Sequence, residues 1–216
     1  MRKKAVGLGL WLCVGLAQAD GILFVGNSIT HHVPSPSVGW TGDWGMAASS
    51  RSSDYVHMTV RKLEGSGQAR ISFESLNASN FEKDPSPLNA DSVWKKIDAS
   101  AADRVVLFLG DNVKAEPGAW AQFVSAYESL ITRARGKGKQ VVCVSLWWSA
   151  ETRNADLKRL CEANGGTFAL LPPESQSAQA RAPGHANKGV ASHPGDQGMR
   201  LIADAVYTAL EQGRKR

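Results

Sequence analysis

The chain is poor in cysteine, with 3 in 216 residues, and no cysteines or histidines stand at paired zinc-ligand spacing. Neither a disulfide scaffold nor a structural zinc module therefore accounts for it. Repeats, low-complexity tracts and an interdomain linker are missing, which removes solenoid, collagenous and disordered readings. No apolar run reaches the roughly 20 residues that a membrane-spanning helix needs. A basic face is missing too, although the formal charge is +5. Arg2, Lys3 and Lys4 supply three of those charges and the tail Arg214-Lys215-Arg216 three more, leaving a net −1 over 20–213. That balance excludes nucleic acid as a partner. What is present is enough hydrophobic content, 43%, for one domain with a sizeable core.

Residues 1–19 open on the three cations, run through the apolar stretch Ala5 to Leu16 and close on Ala17-Gln18-Ala19. This is the pattern of a secretory signal peptide cleaved after Ala19. The expectation is a single mature domain over 20–216, secreted or periplasmic, with no stable membrane insertion. Cys13 lies inside the apolar stretch behind Trp11-Leu12, which lack the small residue of a lipoprotein cleavage site. Export permits a disulfide between the two mature cysteines, Cys143 in an apolar strand and Cys161 on a helix; two buried thiols are the expected state.

From Asp20 onward, strand-length apolar runs alternate with longer amphipathic segments, which predicts an α/β fold with a parallel sheet covered by helices on both faces. The five strands are Ile22 to Val25, Ala69 to Leu76, Arg104 to Leu109, Gln140 to Leu146 and Thr167 to Leu171. Helices are expected over 45–64, 91–101, 118–135, 154–163 and 196–212. Residues 172–195, rich in Pro and Gly, read as a long irregular loop of the kind that often carries function. In such a sheet, ligands gather where the winding reverses, so the loops after the first and third strands matter most.

Those loops carry polar groups suited to acyl transfer. Gly26-Asn27-Ser28 follows the first strand, Gly110-Asp111-Asn112 follows the third, and His193-Pro194-Gly195-Asp196-Gln197-Gly198 opens the last helix. A serine, an amide donor and an imidazole on three loops at one sheet edge supply a nucleophile, an oxyanion donor and a base.

With these blocks in this order, the sequence resembles the SGNH (GDSL-like) hydrolase superfamily of esterases, lipases and carbohydrate deacetylases. Gly26-Asn27-Ser28 is similar to its Gly-Asp-Ser block with Asn for Asp, Gly110-Asp111-Asn112 to its Gly-x-Asn block, and His193 to Gly198 to its last block. The resemblance implies a three-layer flavodoxin-like sandwich with a five-stranded parallel sheet and no cofactor. It also implies Ser28 as nucleophile, His193 as general base, and an oxyanion site made by the Ser28 N–H and the Asn112 amide.

The sequence departs from that pattern twice. The family commonly has Asp three residues before the histidine; Val190 stands there, so a Ser-His dyad oriented by a backbone carbonyl is expected, with Asp196 and Glu174 as possible substitutes. Asp196 is expected to cap the last helix instead. The glycine block after the second strand is absent as well, and a backbone N–H of Ala78 or Ser79 is expected to replace its oxyanion donor.

Trp40 and Trp44, with Trp147 and Trp148, are expected at the rim, where indole faces suit flat sugar surfaces, with core packing as the competing role. His31, His32, His185 and His193 do not form the pattern of a metal cluster. The expected activity is hydrolysis of a short acyl ester, acetyl above all, on a carbohydrate or an acylated small molecule. The alternatives are a lysophospholipase or thioesterase, and a noncatalytic carbohydrate-binding or polymer-handling module on the same fold.

Overall fold

The computed structural model describes residues 20–148 and 150–214. The expected signal peptide and Cys13 lie outside the described residues. Strands β1 (Gly21–Gly26), β2 (Ser72–Asn77), β3 (Arg104–Phe108), β4 (Gln140–Val144) and β5 (Thr167–Ala169) form one sheet in the order β2-β1-β3-β4-β5. Every neighbouring pair is parallel.

The central strands β1 and β3 are buried along their whole length because alternate side chains enter two different cores. Phe24, Val106 and Val142 pack with Tyr55, Leu63, Ile202 and Val206 of α1 (Tyr55–Gly65) and α7 (Asp196–Arg214). Leu23, Val25, Val105 and Leu107 pack on the opposite face with Ile97, Phe123, Ile131 and Leu157 of α3 (Pro87–Ala99), α4 (Ala119–Gly136) and α5 (Glu151–Ala163). Burial on both faces is why these strands read as unbroken apolar runs. Each such fully buried side chain contributes about 1.5–3 kcal/mol. The chain passes from β1 to β2 on one side and then to β3 on the other, so a crevice opens beyond the carboxyl ends of β1 and β3.

Three expectations are corrected. The helix expected over 45–64 begins only at Tyr55, where Asp54 Oδ1 accepts the His57 N–H at 2.8 Å as its cap. Upstream, Ala47 has a φ of 75°, which no helix allows, the hydroxyls of Ser49 and Ser50 both bond that of Ser53, and a 3-10 turn at Arg51–Ser53 leads into the helix. The loop over 172–195 contains 3-10 turns at Pro173–Gln176 and Ala178–Ala180 and a short helix α6 (Lys188–Ala191). Cys143 and Cys161 are not thiols: with Cα atoms 6.1 Å apart, β4 and α5 bring them together as a disulfide. The other expected strands and helices agree to within a few residues at their ends, and an unexpected short helix, Ser79–Lys83, stands between β2 and α3.

Gly26 ends β1 because nothing larger fits. A Cβ there would stand 1.9 Å from Thr30 Oγ1 and 3.1 Å from the Phe108 carbonyl. Gly26→Ala is therefore expected to cost about 1–3 kcal/mol as an overpacked site, visible as a lower urea midpoint with an unchanged slope.

Candidate active site

The turn after β1 is built by Asn27. Its carbonyl accepts the N–H groups of Thr30 at 3.0 Å and His31 at 3.1 Å, and its side-chain Oδ1 accepts that of Ile29 at 3.0 Å. Such a side-chain-closed turn fixes the backbone without a helix or strand. Ser28 sits within it, half-buried, with Oγ 2.8 Å from His193 Nε2.

His193 lies 9% exposed at the end of the α6 turn. Its other ring nitrogen, Nδ1, is 2.7 Å from the Gly189 carbonyl oxygen. A carbonyl only accepts, so Nδ1 carries the proton and Nε2 is the bare nitrogen facing the Ser28 hydroxyl. Burial holds the imidazole below its ordinary pKa, the nearby His32 and His185 push the same way, and the Gly189 carbonyl opposes them.

The backbone carbonyl expected from the dyad reading is thus that of Gly189, on the turn capped by Asn187 Oδ1 to the Val190 N–H at 3.1 Å. Val190 is buried beside Trp40, Met46 and Ala47. Neither proposed substitute reaches the imidazole. Asp196, the acidic residue in the first turn of α7, binds the Ser49 N–H at 2.8 Å and the Ser49 hydroxyl at 2.6 Å, so it ties the 45–53 loop to the start of that helix. Glu174 is exposed in the Pro173–Gln176 turn.

Ser28, Asn112 and His193 line one cleft of about 280 Å³, together with polar Asn77, Ser79, Lys83 and Asn187 and apolar Val38 and Met46. A separate groove of about 370 Å³ at the β5 edge, lined by Phe168, Leu170 and Leu201 among others, contains none of these three groups. Of the two second-loop candidates, Ala78 is corrected: its N–H donates to the Gly26 carbonyl at 2.6 Å, extending the β1–β2 pairing by one bond. Ser79 does line the cleft, but its N–H is held by Asn77 Oδ1 at 3.0 Å.

Sequence reasoning missed Glu82, on the short helix α2 (Ser79–Lys83). Its carboxylate is 1% exposed and accepts four N–H groups. Oε1 takes those of Asn27 Nδ2 (3.1 Å), Gly110 (2.6 Å) and Asp111 (3.1 Å), and Oε2 that of Asn112 Nδ2 (2.5 Å). Burial raises its pKa and those donors oppose the rise. Gly110, at φ 124°, permits the backbone path that turns two successive N–H groups toward it. Asp111 turns to the fourth loop instead, accepting the N–H groups of Trp147 at 3.3 Å and Trp148 at 3.1 Å. Burial of its carboxylate, and then the charge of Glu82, push its pKa up to about 7.

The four tryptophans do not form the expected rim. Trp40 and Trp147 are 3% and 1% exposed, with indole N–H groups bonded to the His32 and Ser192 carbonyls. Both are core. Trp44 borders a different polar hollow with His31, Asp43 and Arg51. Only Trp148 meets the site, edge-on to His193 with ring centroids 5.2 Å apart. The histidines take separate partners: His31 pairs with Asp43 and His32 Nδ1 with the Val33 carbonyl. Among the described residues no three His, Cys, Asp or Glu side chains are placed to hold a metal.

No protein-family model matches the sequence, and no curated protein matches it significantly. Solved structures do match. TesA superposes with a TM-score of 0.61 at 18% identity, over 90% of this chain and 99% of that one. EstA, a psychrotrophic esterase from Pseudoalteromonas sp., gives 0.62 at 10%, over 91% and 100%. Axe2, an acetylxylan esterase from Geobacillus stearothermophilus, gives 0.60 at 15%, over 89% and 94%. Chains described as a GDSL-like lipase and an SGNH hydrolase also match. The sheet order, the crevice between β1 and β3 and these superpositions agree: the chain carries the fold of the SGNH, or GDSL-like, hydrolases.

Proposed function

We propose that this protein is a serine esterase that removes short acyl groups, acetyl above all, from a polar alcohol such as a carbohydrate, through a Ser28–His193 dyad. The observation that carries this reading is the 2.8 Å contact between Ser28 Oγ and a His193 Nε2 left bare by the Nδ1 bond to Gly189. The Ser28 hydroxyl attacks the ester carbonyl while Nε2 takes its proton. The imidazolium then protonates the leaving alcohol, and the same nitrogen activates the water that releases the acid. The Asn112 amide and the Ser28 N–H hold the oxyanion.

A cleft of about 280 Å³ that sets apolar Val38 and Met46 beside polar Asn77, Ser79, Lys83 and Asn187 is small and of mixed character, which favours a short acyl chain on a hydrophilic alcohol over a long lipid tail. The esterases with the same fold include one described as acting on acetylxylan. The pattern of residues 1–19 supports action outside the cytoplasm, in the periplasm or beyond.

The test is covalent labelling with a fluorophosphonate, the reagent class suggested by EstA, whose structure is described as inhibited by monoethylphosphonate. The wild-type protein is expected to label at Ser28 and Ser28→Ala not at all. Glycan binding without labelling would favour a noncatalytic module. In a p-nitrophenyl ester series, activity is expected to fall beyond short chains; a rise toward long ones would point to a lysophospholipase or thioesterase.

A further inference from the structure

We infer that Glu82 is a positioning residue of this site: its buried carboxylate fixes the orientation of the Asn112 amide, so that nitrogen and not oxygen faces the oxyanion. The inference rests on the esterase reading above and adds to it a residue that touches no reacting atom.

An asparagine side chain is nearly symmetric in shape, and its two orientations differ only in which end donates. Rotating the Asn112 amide by half a turn would put Oδ1 where an oxyanion must be bound, converting attraction into repulsion. What selects the orientation is the partner at the other side. Glu82 Oε2 lies 2.5 Å from Asn112 Nδ2, and an ionised carboxylate accepts only, so the nitrogen is held there with its second hydrogen free for the cleft. The other oxygen, Oε1, is anchored by three N–H groups from Asn27, Gly110 and Asp111, so the carboxylate cannot turn away.

The same contacts give a physical account of Asn27. The related pattern has Asp at this position, but an aspartate would set a second carboxylate against Glu82 at the 3.1 Å now bridged by the Asn27 amide. With the acid on α2, the turn residue has to be the amide. One buried carboxylate thereby connects the nucleophile turn after β1 with the oxyanion loop after β3, and all four groups bonded to it are donors.

The test is a double-mutant cycle between Glu82→Gln and Asn112→Ala, read with p-nitrophenyl acetate. Glutamine keeps the shape but supplies an NH2 where an acceptor is needed, and an amide oxygen on Asn112 then pairs with it. Glu82→Gln alone is expected to lower kcat by about a hundredfold, the scale of a lost oxyanion donor, with KM little changed, and to have almost no further effect in the Asn112→Ala background. An equal loss in both backgrounds, or no loss in the first, would overturn the inference. Loss of wild-type activity and labelling on Ser28→Ala tests the esterase reading separately.

Should Glu82→Gln not fold, the wild-type protein still decides the matter by NMR. One Asn112 side-chain amide proton, assigned by its absence in Asn112→Ala, is expected to resonate downfield and exchange slowly, as a charge-assisted bond requires. Exchange of both protons as fast as those of the exposed Asn80 would refute it.

Discussion

Replacing His193 with alanine is expected to lower kcat toward p-nitrophenyl acetate by about 10⁴- to 10⁶-fold, the range seen when a Ser-His pair loses its base or the base's correct tautomer. The reason lies in the contacts of one ring. Among the described residues, Ser28 Oγ has Nε2, at 2.8 Å, as its hydrogen-bonded place to leave a proton, and Nδ1 is committed to Gly189. Ser28→Ala should cost a similar factor, and the double variant should be no worse than either single one, because the two groups act as a unit. Residual hydrolysis above background would come from the Asn112 amide and the Ser28 N–H. A His193→Ala variant within tenfold of wild type would remove the dyad mechanism altogether.

The same ring sets the pH dependence. A base works only when neutral, and burial holds the His193 pKa below its ordinary value of 6.5. The acid limb of kcat/KM is therefore expected to have its midpoint below 6.5 and to be lost as pH falls through it. His32→Gln and His185→Gln each remove a like charge that lowers this pKa, so each should move the midpoint up.

For stability the signs are worked out the same way. Between its folded pKa and 6.5 the unfolded His193 binds more protons, so its contribution is full above 6.5 and lost as pH falls through the folded value. Asp111 acts in the opposite sense. Its carboxyl is raised from 3.8 to about 7, so its contribution is full below 3.8 and lost as pH rises through about 7. Glu82, also raised, acts in the direction of Asp111.

The parts of this site differed in how legible they were. Strands such as Val105 to Leu107 could be read because burial on both faces leaves an unbroken apolar run, and Ser28, Asn112 and His193 because each directly follows or precedes a recognisable element. The order of strands then dictated that their loops would share one edge. Glu82 carried no such signal: in Asn80-Phe81-Glu82-Lys83-Asp84 it looks like one charge in a solvated helix, and only the close approach of α2 to the Gly110 turn buries it.

The orienting carbonyl of Gly189 was equally invisible, since any residue can supply a backbone oxygen. The tryptophans misled for a related reason. An indole has both a large apolar body and a donor, so it serves a core as well as a rim, and the carbonyls of His32 and Ser192 capture the donors of Trp40 and Trp147 inside.

The covalent link between β4 and α5 should have the largest effect on stability. Cys143 and Cys161 are separated by 18 residues in sequence. Closing a loop of that size restricts the unfolded chain by about 3 kcal/mol in the chain-entropy account. In a domain of this length that corresponds to a fall in Tm of about 6–12 °C on reduction. Reduction is a cleaner comparison than Cys→Ala substitution, because alanines would also empty volume around two side chains that are 0% exposed.

That burial makes a kinetic prediction as well. A thiol reagent reaches the bond only when α5 and β4 open, so reduction in native buffer should be slow and should accelerate steeply in sub-denaturing urea. Since neither cysteine lines the Ser28 cleft, the reduced protein below its Tm should keep its esterase kcat. Calorimetry with and without reductant checks the first claim, and coincident melting curves would show that the link contributes nothing. An activity that fell in step with reduction, before any unfolding, would mean instead that α5 transmits strain through β4 to the Trp147-Trp148 loop that Asp111 holds beside the imidazole.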